Sequence, residues 1–394
     1  MEFAFNEVES MVASAVEDAV SRYIDPLLAK QPADEPVSAD VLRELNQHAA
    51  AFGVFGARVP QEHGGSELTC AALGIVMERL PPFFAMSAVS QEATTFRIFS
   101  AASDAIRARY LPGLVSGELI AASGISEPGA GSDPRSIRTT ATIDGDTIHL
   151  RGTKLWITNA TVADLILVLA RHEETGELVR VIVDTRETPL ETREVPMSGL
   201  RQGHLGEVTI DVSVPAEQLL AGRGDTRDAL TRSWLANRPN IGLIACHIAT
   251  QALDFAIAHA KERHQFGQPL GSFQLVQGML ADMATEIDAA RLLSYRALAE
   301  LDAGRRAARE ASMAKMFATE MAIRVVLRAQ EILGSSGSAL ELPLDQWLRD
   351  ARMLTFPDGT RQVHQLVIGR DLTKISAFAG YKPSISVVNS TDRS

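Results

Sequence analysis

The segment LTFPDGTRQVHQLVIGR, residues 354 to 370, sets one carboxylate, Asp358, beside a Gly-Thr turn at the start of an amphipathic helix. An acid so placed is able to take a proton from carbon, or else only to cap the helix that follows. Three other segments carry chemistry. SGISEPGAGSD, residues 123 to 133, is a Gly-rich turn without the GK[ST] ending of a phosphate loop, and taken alone it is only a turn. GTKLWITN, residues 152 to 159, ends a strand pattern with Trp156 and Thr158. An aromatic and a hydroxyl in that order suit the edge of a planar ring, although Trp156 also reads as a core aromatic. RHQFGQPLGSFQ, residues 263 to 274, puts Arg263 at the end of a helical pattern. Its guanidinium suits a pyrophosphate held bidentately, or simply the helix dipole.

The elements that must position these groups follow from the hydrophobic period. From Asn6 to about Leu114, Ala and Leu recur at helical spacing, interrupted at QPADEPVS (31 to 38), VPQEHGGSEL (59 to 68) and LPPFF (80 to 84). From about Ile120 to Ala221 the period shortens. TTATIDGDTIHLRGTK alternates about a DG turn, ADLILVLARHEETGELVRVIVD reads as two strands joined by a polar turn, and GEVTIDVSV adds another. Long helical patterns then return over 226 to 263, 273 to 303, 307 to 333 and 360 to 378, with Ser272 expected to cap the second and Gly334 to close the third. The expected architecture is multi-domain α+β: an N-terminal helical domain (1–118), a middle β-barrel or sandwich domain (119–225) and a C-terminal four-helix bundle (226–394).

Composition excludes several classes. The chain has 394 residues, 46% of them apolar, enough for two or three packed units. Its formal net charge of -11 argues against a nucleic-acid footprint. The one dense basic cluster, Arg305, Arg306 and Arg309, reads as a solvated face. Cys70 and Cys246 are far apart and read as core filler, and no His, Cys or acid spacing suggests a metal site. No basic leader and no apolar window of membrane length is read, so a cytoplasmic protein without membrane insertion is expected.

Taken together, the four motifs make the chain resemble the acyl-CoA dehydrogenase family of flavoproteins over about residues 40 to 380. The resemblance implies FAD as cofactor and oxidation of an acyl thioester at Cα and Cβ, with electrons passing to an electron-transfer flavoprotein or similar acceptor. It implies that Trp156 and Thr158 flank the isoalloxazine ring, that Ser126 reaches the flavin and that Ser132 lies near the thioester. Arg263 and Phe266 would grip the FAD of a neighbouring subunit, with Gln274, Thr360 and Gln362 as further cofactor contacts, so a homo-oligomer, dimer or tetramer, is implied. Asp358 would be the base, and its backbone N–H, beside Gly359, a donor to the thioester oxygen; such donors are worth about 3 to 4 kcal/mol.

The chain departs from the family pattern at several positions. Relatives usually carry Glu where Asp358 stands, and Asp is shorter by roughly 1.5 Å, while a misplacement of about 1 Å costs on the order of a hundredfold in rate. Pro357 replaces the usual Tyr and fixes its own φ. Some relatives place their base one residue before Arg238, but here that residue is Asn237, which cannot act as one. Leu235 replaces an acid that helps hold CoA, and Glu331 and Ser335 replace the usual Gln and Gly of a cofactor-contacting turn. Arg238 is left for pantetheine or nucleotide phosphate, and Arg349 and Asp350 are expected to form an internal pair. The expected substrate is therefore acyl-CoA or an acyl group on an acyl carrier protein. A nitroalkane-oxidase-like flavoenzyme using an Asp base, and a non-catalytic flavin-binding subunit, are the alternatives.

Overall fold

The computed structural model describes residues 5–220 and 226–377. The N-terminal helices are α1 (Glu7–Ala19), α2 (Asp25–Leu28), α3 (Ala39–Ala50), α4 (Cys70–Arg79), α5 (Pro82–Ala101) and α6 (Asp104–Val115). Their starts are written in the sequence: Asn6 and Glu9 form a capping box, and Ser38, Thr69 and Ser103 each accept a backbone N–H of the first turn. The LPPFF segment is less of a loop than expected. Pro82 occupies the first turn of α5, where its missing N–H costs nothing, and Phe83 and Phe84 are buried helical residues.

The middle unit is one seven-stranded mixed sheet of β1 (Ala121–Gly124), β2 (Thr140–Asp144), β3 (Thr147–Thr158), β4 (Leu165–His172), β5 (Leu178–Asp184), β6 (Glu191–Glu194) and β7 (Leu205–Pro215). The four longer alternating runs appear as β3, β4, β5 and β7, and β2 pairs with β3 across the DG turn. Strands β1 and β6 escaped the sequence reading because each has only four residues. β1 runs parallel to β4 and carries the chain from α6 straight into the Gly-rich turn. Ile98, Tyr110 and Leu114 pack on Ala121, Leu165, Leu167 and Ile182, fastening α5 and α6 to this sheet.

The C-terminal unit is α7 (Thr226–Glu262), α8 (Gln274–Asp302), α9 (Ala308–Leu333), α10 (Leu344–Met353) and α11 (Arg361–Thr373), with a hairpin of β8 (His264–Gln265) and β9 (Gln268–Pro269) between α7 and α8. α7, α8, α9 and α11 form the expected bundle, and α10 is an additional short helix. Gly334, with φ +63°, closes α9 as expected. Ser272 does not cap α8: Phe273 holds that position, and the Ser272 hydroxyl donates to the Pro269 carbonyl instead. The last helix stops at Thr373, where Lys374 turns left-handed, rather than running to 378, which lies outside the described residues. Contrary to expectation, Ser233–Glu262 is long and apolar enough to match a membrane span, with mean hydropathy 1.6. Ile241, Ile244, Ile248 and Ala252 of this stretch are fully buried in the main core.

Candidate active site

Asp358 lies in the loop between α10 and α11 with φ +52°, followed by Gly359 at +118°. Thr360 is the N-cap residue of α11 and no side chain caps the helix, so the Asp358 carboxylate is not spent on capping. It is half-buried and makes no hydrogen bond among the described residues. Two buried cations hold the loop by its carbonyls instead. Arg238 of α7 donates from Nε to the Asp358 carbonyl at 3.1 Å and from Nη1 to Ser312 Oγ at 3.3 Å. Lys315 of α9 donates from Nζ to the carbonyls of Thr355 at 3.1 Å and Gly359 at 2.7 Å. Arg238 is thus committed beneath the loop, not displayed on an open surface.

Burial dominates the electrostatics. It pulls the Lys315 amine down to about 7, with the Asp358 charge opposing and the Arg238 charge adding to the shift. It lowers Arg238 as well, again against Asp358. A third buried cation, Arg97 of α5, is lowered by burial to about 10, and Asp358 is the strongest opposing influence there too. The Asp358 charge thus opposes the effect of burial at all three cations, which lie on α5, α7 and α9. His364 packs against Gly359 so closely that a Cβ at residue 359 would meet its Cε1 at 3.2 Å, which together with the positive φ requires glycine. Burial and the charges of Lys315 and Arg238 depress the imidazole to about 3, keeping it neutral.

A second group is built on the sheet. The β3–β7 register slips between Lys154 and Ile157, and Trp156 in that bulge has φ +64° and is 52% exposed. The Leu155 N–H donates to the Ser126 carbonyl at 2.9 Å, tying the bulge to the Gly-rich turn. Underneath, Lys154 is fully buried and donates to Glu127 Oε1 at 2.9 Å and to the Ile125 carbonyl at 3.2 Å. Glu127 also accepts the N–H groups of Arg138 and Thr139 and the Thr139 hydroxyl. Burial would raise this carboxyl, but the bonds from Thr139, Lys154 and the backbone hold it down at about 2. Ser126 and Thr158 are half-buried beside the bulge, Ser132 is exposed, and Gly129 and Gly131 face open space.

A third group stands apart. Phe266 and Gly267 turn the β8–β9 hairpin with φ +53° and +79°, as a two-residue primed turn requires. Phe266 is 93% exposed and meets Phe273 edge-on at 6.2 Å. Arg263, Gln274, Glu331, Ser335 and Gln362 are exposed, and Thr360 is half-buried. Arg263 follows the C-terminus of α7, about 38 Å along the axis from Arg238 at the helical rise per residue.

Among the described residues, Trp156, Phe266 and Asp358 are thus three of the eight non-glycine residues with positive φ. Left-handed backbone of this kind costs on the order of 1–3 kcal/mol and persists where surrounding contacts enforce it. Lys315, Arg97, Glu127, Lys154 and His364 escaped the sequence reading. Their signal was a charge or imidazole inside an apolar pattern, as in ASMAKMFA and ATTFRIFSA. The expected Arg349–Asp350 pair is not formed. Arg349 pairs with Asp345 at 3.0 Å, one helical turn away, whereas Asp350 accepts from the Leu200 N–H and Gln346. Burial raises Asp350 to about 6. Arg305 and Arg309 of the basic cluster pair with Glu300 and Glu310 at the surface.

The chain matches family models for the acyl-CoA dehydrogenase N-terminal domain over residues 6–118, the middle domain over 122–212 and the C-terminal domain over 228–373. It is 34% identical to cyclohexane-1-carbonyl-CoA dehydrogenase of Geobacter metallireducens, over 95% of this chain and 100% of the relative. Among solved structures it is similar to a glutaryl-CoA dehydrogenase of Mycobacterium smegmatis in complex with FADH2, with TM-score 0.86 and 26% identity over 95% of this chain and 96% of the other. It is also similar to the prolyl acyl carrier protein oxidase AnaB, with TM-score 0.85 and 27% identity over 94% of this chain and 100% of the other.

Proposed function

Because the chain belongs to the acyl-CoA dehydrogenase family, oxidoreductases that act on the CH–CH bond of acyl-CoA thioesters, we propose that Asp358 is its catalytic base and that it desaturates an acyl thioester at Cα and Cβ. The observation that carries this reading is the half-buried Asp358 carboxylate, which makes no hydrogen bond among the described residues while Arg238 and Lys315 hold its loop by the carbonyls of Asp358 and Gly359.

The residues on the sheet fit FAD. A half-exposed indole offers a stacking face, Ser126 and Thr158 offer hydroxyls, and the open Gly129 and Gly131 admit a ligand close to the backbone. Bound there, FAD supplies the acceptor for the hydride leaving Cβ. Asp358 takes the Cα proton. Its own N–H, turned by the left-handed φ, donates to the thioester oxygen as negative charge develops on it. Lys315 and Arg238 act as positioning residues, fixing the loop through Thr355, Asp358 and Gly359 so that the shorter acid keeps one pose. Trp156, Ser126 and Thr158 hold the cofactor ring, with Ser132 near the thioester. The exposed Arg263, Phe266 and Gln274 hold the FAD of a second copy, Thr360 and Gln362 contact the adenosine part of FAD, and Glu331 lies in a cofactor-contacting turn.

A carrier-protein thioester is the second reading. Leu235, where relatives place an acid that holds CoA, is 3% exposed and packed on Ala297, Ala311 and Ala314, and the likeness to a carrier-protein oxidase supports it. Electrons then pass to an electron-transfer flavoprotein or similar acceptor. Anaerobic titration of the flavin-loaded protein with matched acyl-CoA and acyl-carrier-protein panels, following loss of flavin absorbance, tests the reading. Bleaching by nitroethane but by no thioester would replace it with nitroalkane oxidation, and bleaching by neither with a non-catalytic flavin protein.

A further inference from the structure

Three side chains of α7 carry polar atoms that find no partner among the described residues. Ser233, Asn237 and Asn240 are at most 5% exposed. Ser233 Oγ and Asn240 Oδ1 are enclosed without a hydrogen-bond partner, and Asn237 makes no hydrogen bond among the described residues. A buried amide left unpaired costs free energy that an apolar residue avoids, and α7 does use apolar residues further along, at Ile241, Ile244 and Ile248.

Their spacing puts the three on one face. At about 100° per residue, positions 233, 237 and 240 fall within an arc of about 60° and span about 10 Å along the axis. The faces around this arc are already taken. Leu235 packs on Ala297, Ala311 and Ala314, and a Cβ at Gly242 would meet Ser294 and Ala318, so the opposite side of α7 belongs to α8 and α9. Leu243 lies against Gly74, and His247 donates from Nδ1 to the Glu78 carbonyl at 2.7 Å, which gives one flank to α4. On the other flank Trp234 packs on Ala130 of the Gly-rich turn, and Arg238 holds the Asp358 carbonyl. The polar arc therefore turns towards α5, the other N-terminal helix packed on α7, beside both the proposed cofactor wall and the proposed base.

Resting on the dehydrogenase reading, we propose that Asn237 and Asn240 are specificity-determining residues that bind an uncharged polar group, a hydroxyl or a carboxamide, carried on the acyl chain beyond Cβ. An acyl chain whose Cα sits at Asp358 meets this arc within a helical turn of Arg238. Each Asn amide offers a donor and an acceptor side by side, matching a carboxamide with two bonds and a hydroxyl with one. Ser233, Asn237 and Asn240 carry no charge, so they offer an ionised substituent no counter-charge against the cost of its burial.

The test uses acyl groups matched in shape: glutaramoyl against isoheptanoyl, adipamoyl against isooctanoyl, and ω-hydroxyhexanoyl against heptanoyl. Each is presented to the flavin-loaded enzyme as a CoA and as a carrier-protein thioester, and kcat/KM is read from anaerobic flavin reduction. In the wild-type enzyme at least one polar member should exceed its hydrocarbon counterpart by roughly tenfold or more, the preference expected where the analogue leaves buried polar groups unpaired. Asn237→Leu and Asn240→Leu keep a branched side chain without the amide, and at least one of them should abolish that preference. Absence of any polar preference in all three wild-type pairs shows that the amides hold water only. That outcome overturns the proposal, leaves the dehydrogenase reading standing and needs no variant to fold. An unchanged preference in both folded, flavin-loaded variants overturns it equally. If no thioester bleaches the wild-type flavin, the dehydrogenase reading fails and this inference fails with it.

Discussion

Arg238 Nε donates to the main-chain carbonyl of Asp358 at 3.1 Å, so an arginine on the bundle's longest helix sets the backbone of the proposed base and not its side chain. Arg238→Leu would leave that carbonyl and Ser312 Oγ without their donor, at a cost of about 1–3 kcal/mol for the buried groups. The expected result is a lowered Tm with a larger fall in kcat than rise in KM, because the acid's aim is lost before the substrate's grip. A variant impaired only in KM would return Arg238 to the direct substrate-binding role expected from the sequence.

Asp358→Asn keeps the shape of the loop and removes the base. Flavin content and ligand-induced spectral shifts should survive, while the rate of flavin reduction drops by about a hundredfold to ten-thousandfold, the range attributed to a positioned general base. Single-turnover reduction measured anaerobically decides this, and equally fast bleaching in the variant removes Asp358 from the mechanism. Asp358→Glu lengthens the acid in a loop whose backbone is left-handed at residue 358 and fixed by Arg238 and Lys315. It is expected to fall between the two.

Lys315 gives stability a pH dependence whose sign follows from its burial. The folded amine titrates at about 7 against an ordinary 10.5. Below the folded value both states carry the proton and the burial penalty is complete; between the two values only the unfolded chain keeps it, so raising the pH favours the fold. Lys315→Met lacks this titration and leaves the Thr355 and Gly359 carbonyls unpaired. The Tm gap between wild type and Lys315→Met should therefore widen in favour of wild type as the pH climbs from about 7 to about 10. A gap that stays constant over that range shows that the amine does not titrate there.

The Glu127–Lys154 pair supports the Trp156 bulge from inside the sheet. Because the Glu127 carboxyl is depressed from its ordinary 4.5 to about 2, its stabilising contribution is present above 4.5 and fades as the pH falls between those values. Glu127→Ala strands the fully buried Lys154 charge and should cost about 3–5 kcal/mol. Since Leu155 and Ser126 are joined across this pair, flavin retention should fall together with Tm. Trp156→Ala, by contrast, should weaken flavin retention with little effect on the unfolding of flavin-free protein, as expected for a half-exposed ring. If Glu127→Ala lowers Tm but binds flavin normally, the pair has no part in shaping the cofactor wall.

The order of helices, sheet and bundle was legible in the sequence because periodicity survives over long elements, as in α7 and β3. Asp358, Trp156 and Phe266 were legible through their neighbours: each sits in a motif whose glycine or turn residues announce unusual backbone, and all three have positive φ. What supports them was not legible. Lys315 meets Thr355 and Gly359 across 40 or more residues of chain, and Arg97 meets Ser123 across 26. Such contacts depend on which helix face the tertiary packing turns inward. Ser272 failed as a cap for a similar reason, since the short hairpin before α8 gave its hydroxyl a nearer acceptor in the Pro269 carbonyl.

The distance along α7 makes the proposed sharing of cofactor testable without mutation of the base. Arg263 lies about 38 Å along the axis from Arg238, and Phe266 is almost wholly exposed at the tip of the hairpin that follows. An aromatic side chain held there in left-handed backbone gains little unless a second surface covers it. Flavin bound between copies should be lost on dilution together with the oligomer, so flavin content and sedimentation coefficient should fall over the same range of protein concentration. Arg263→Ala and Phe266→Ala should move both transitions to higher concentration. Full flavin content in a protein that sediments as a single chain would confine the cofactor to one copy and leave the hairpin without this role.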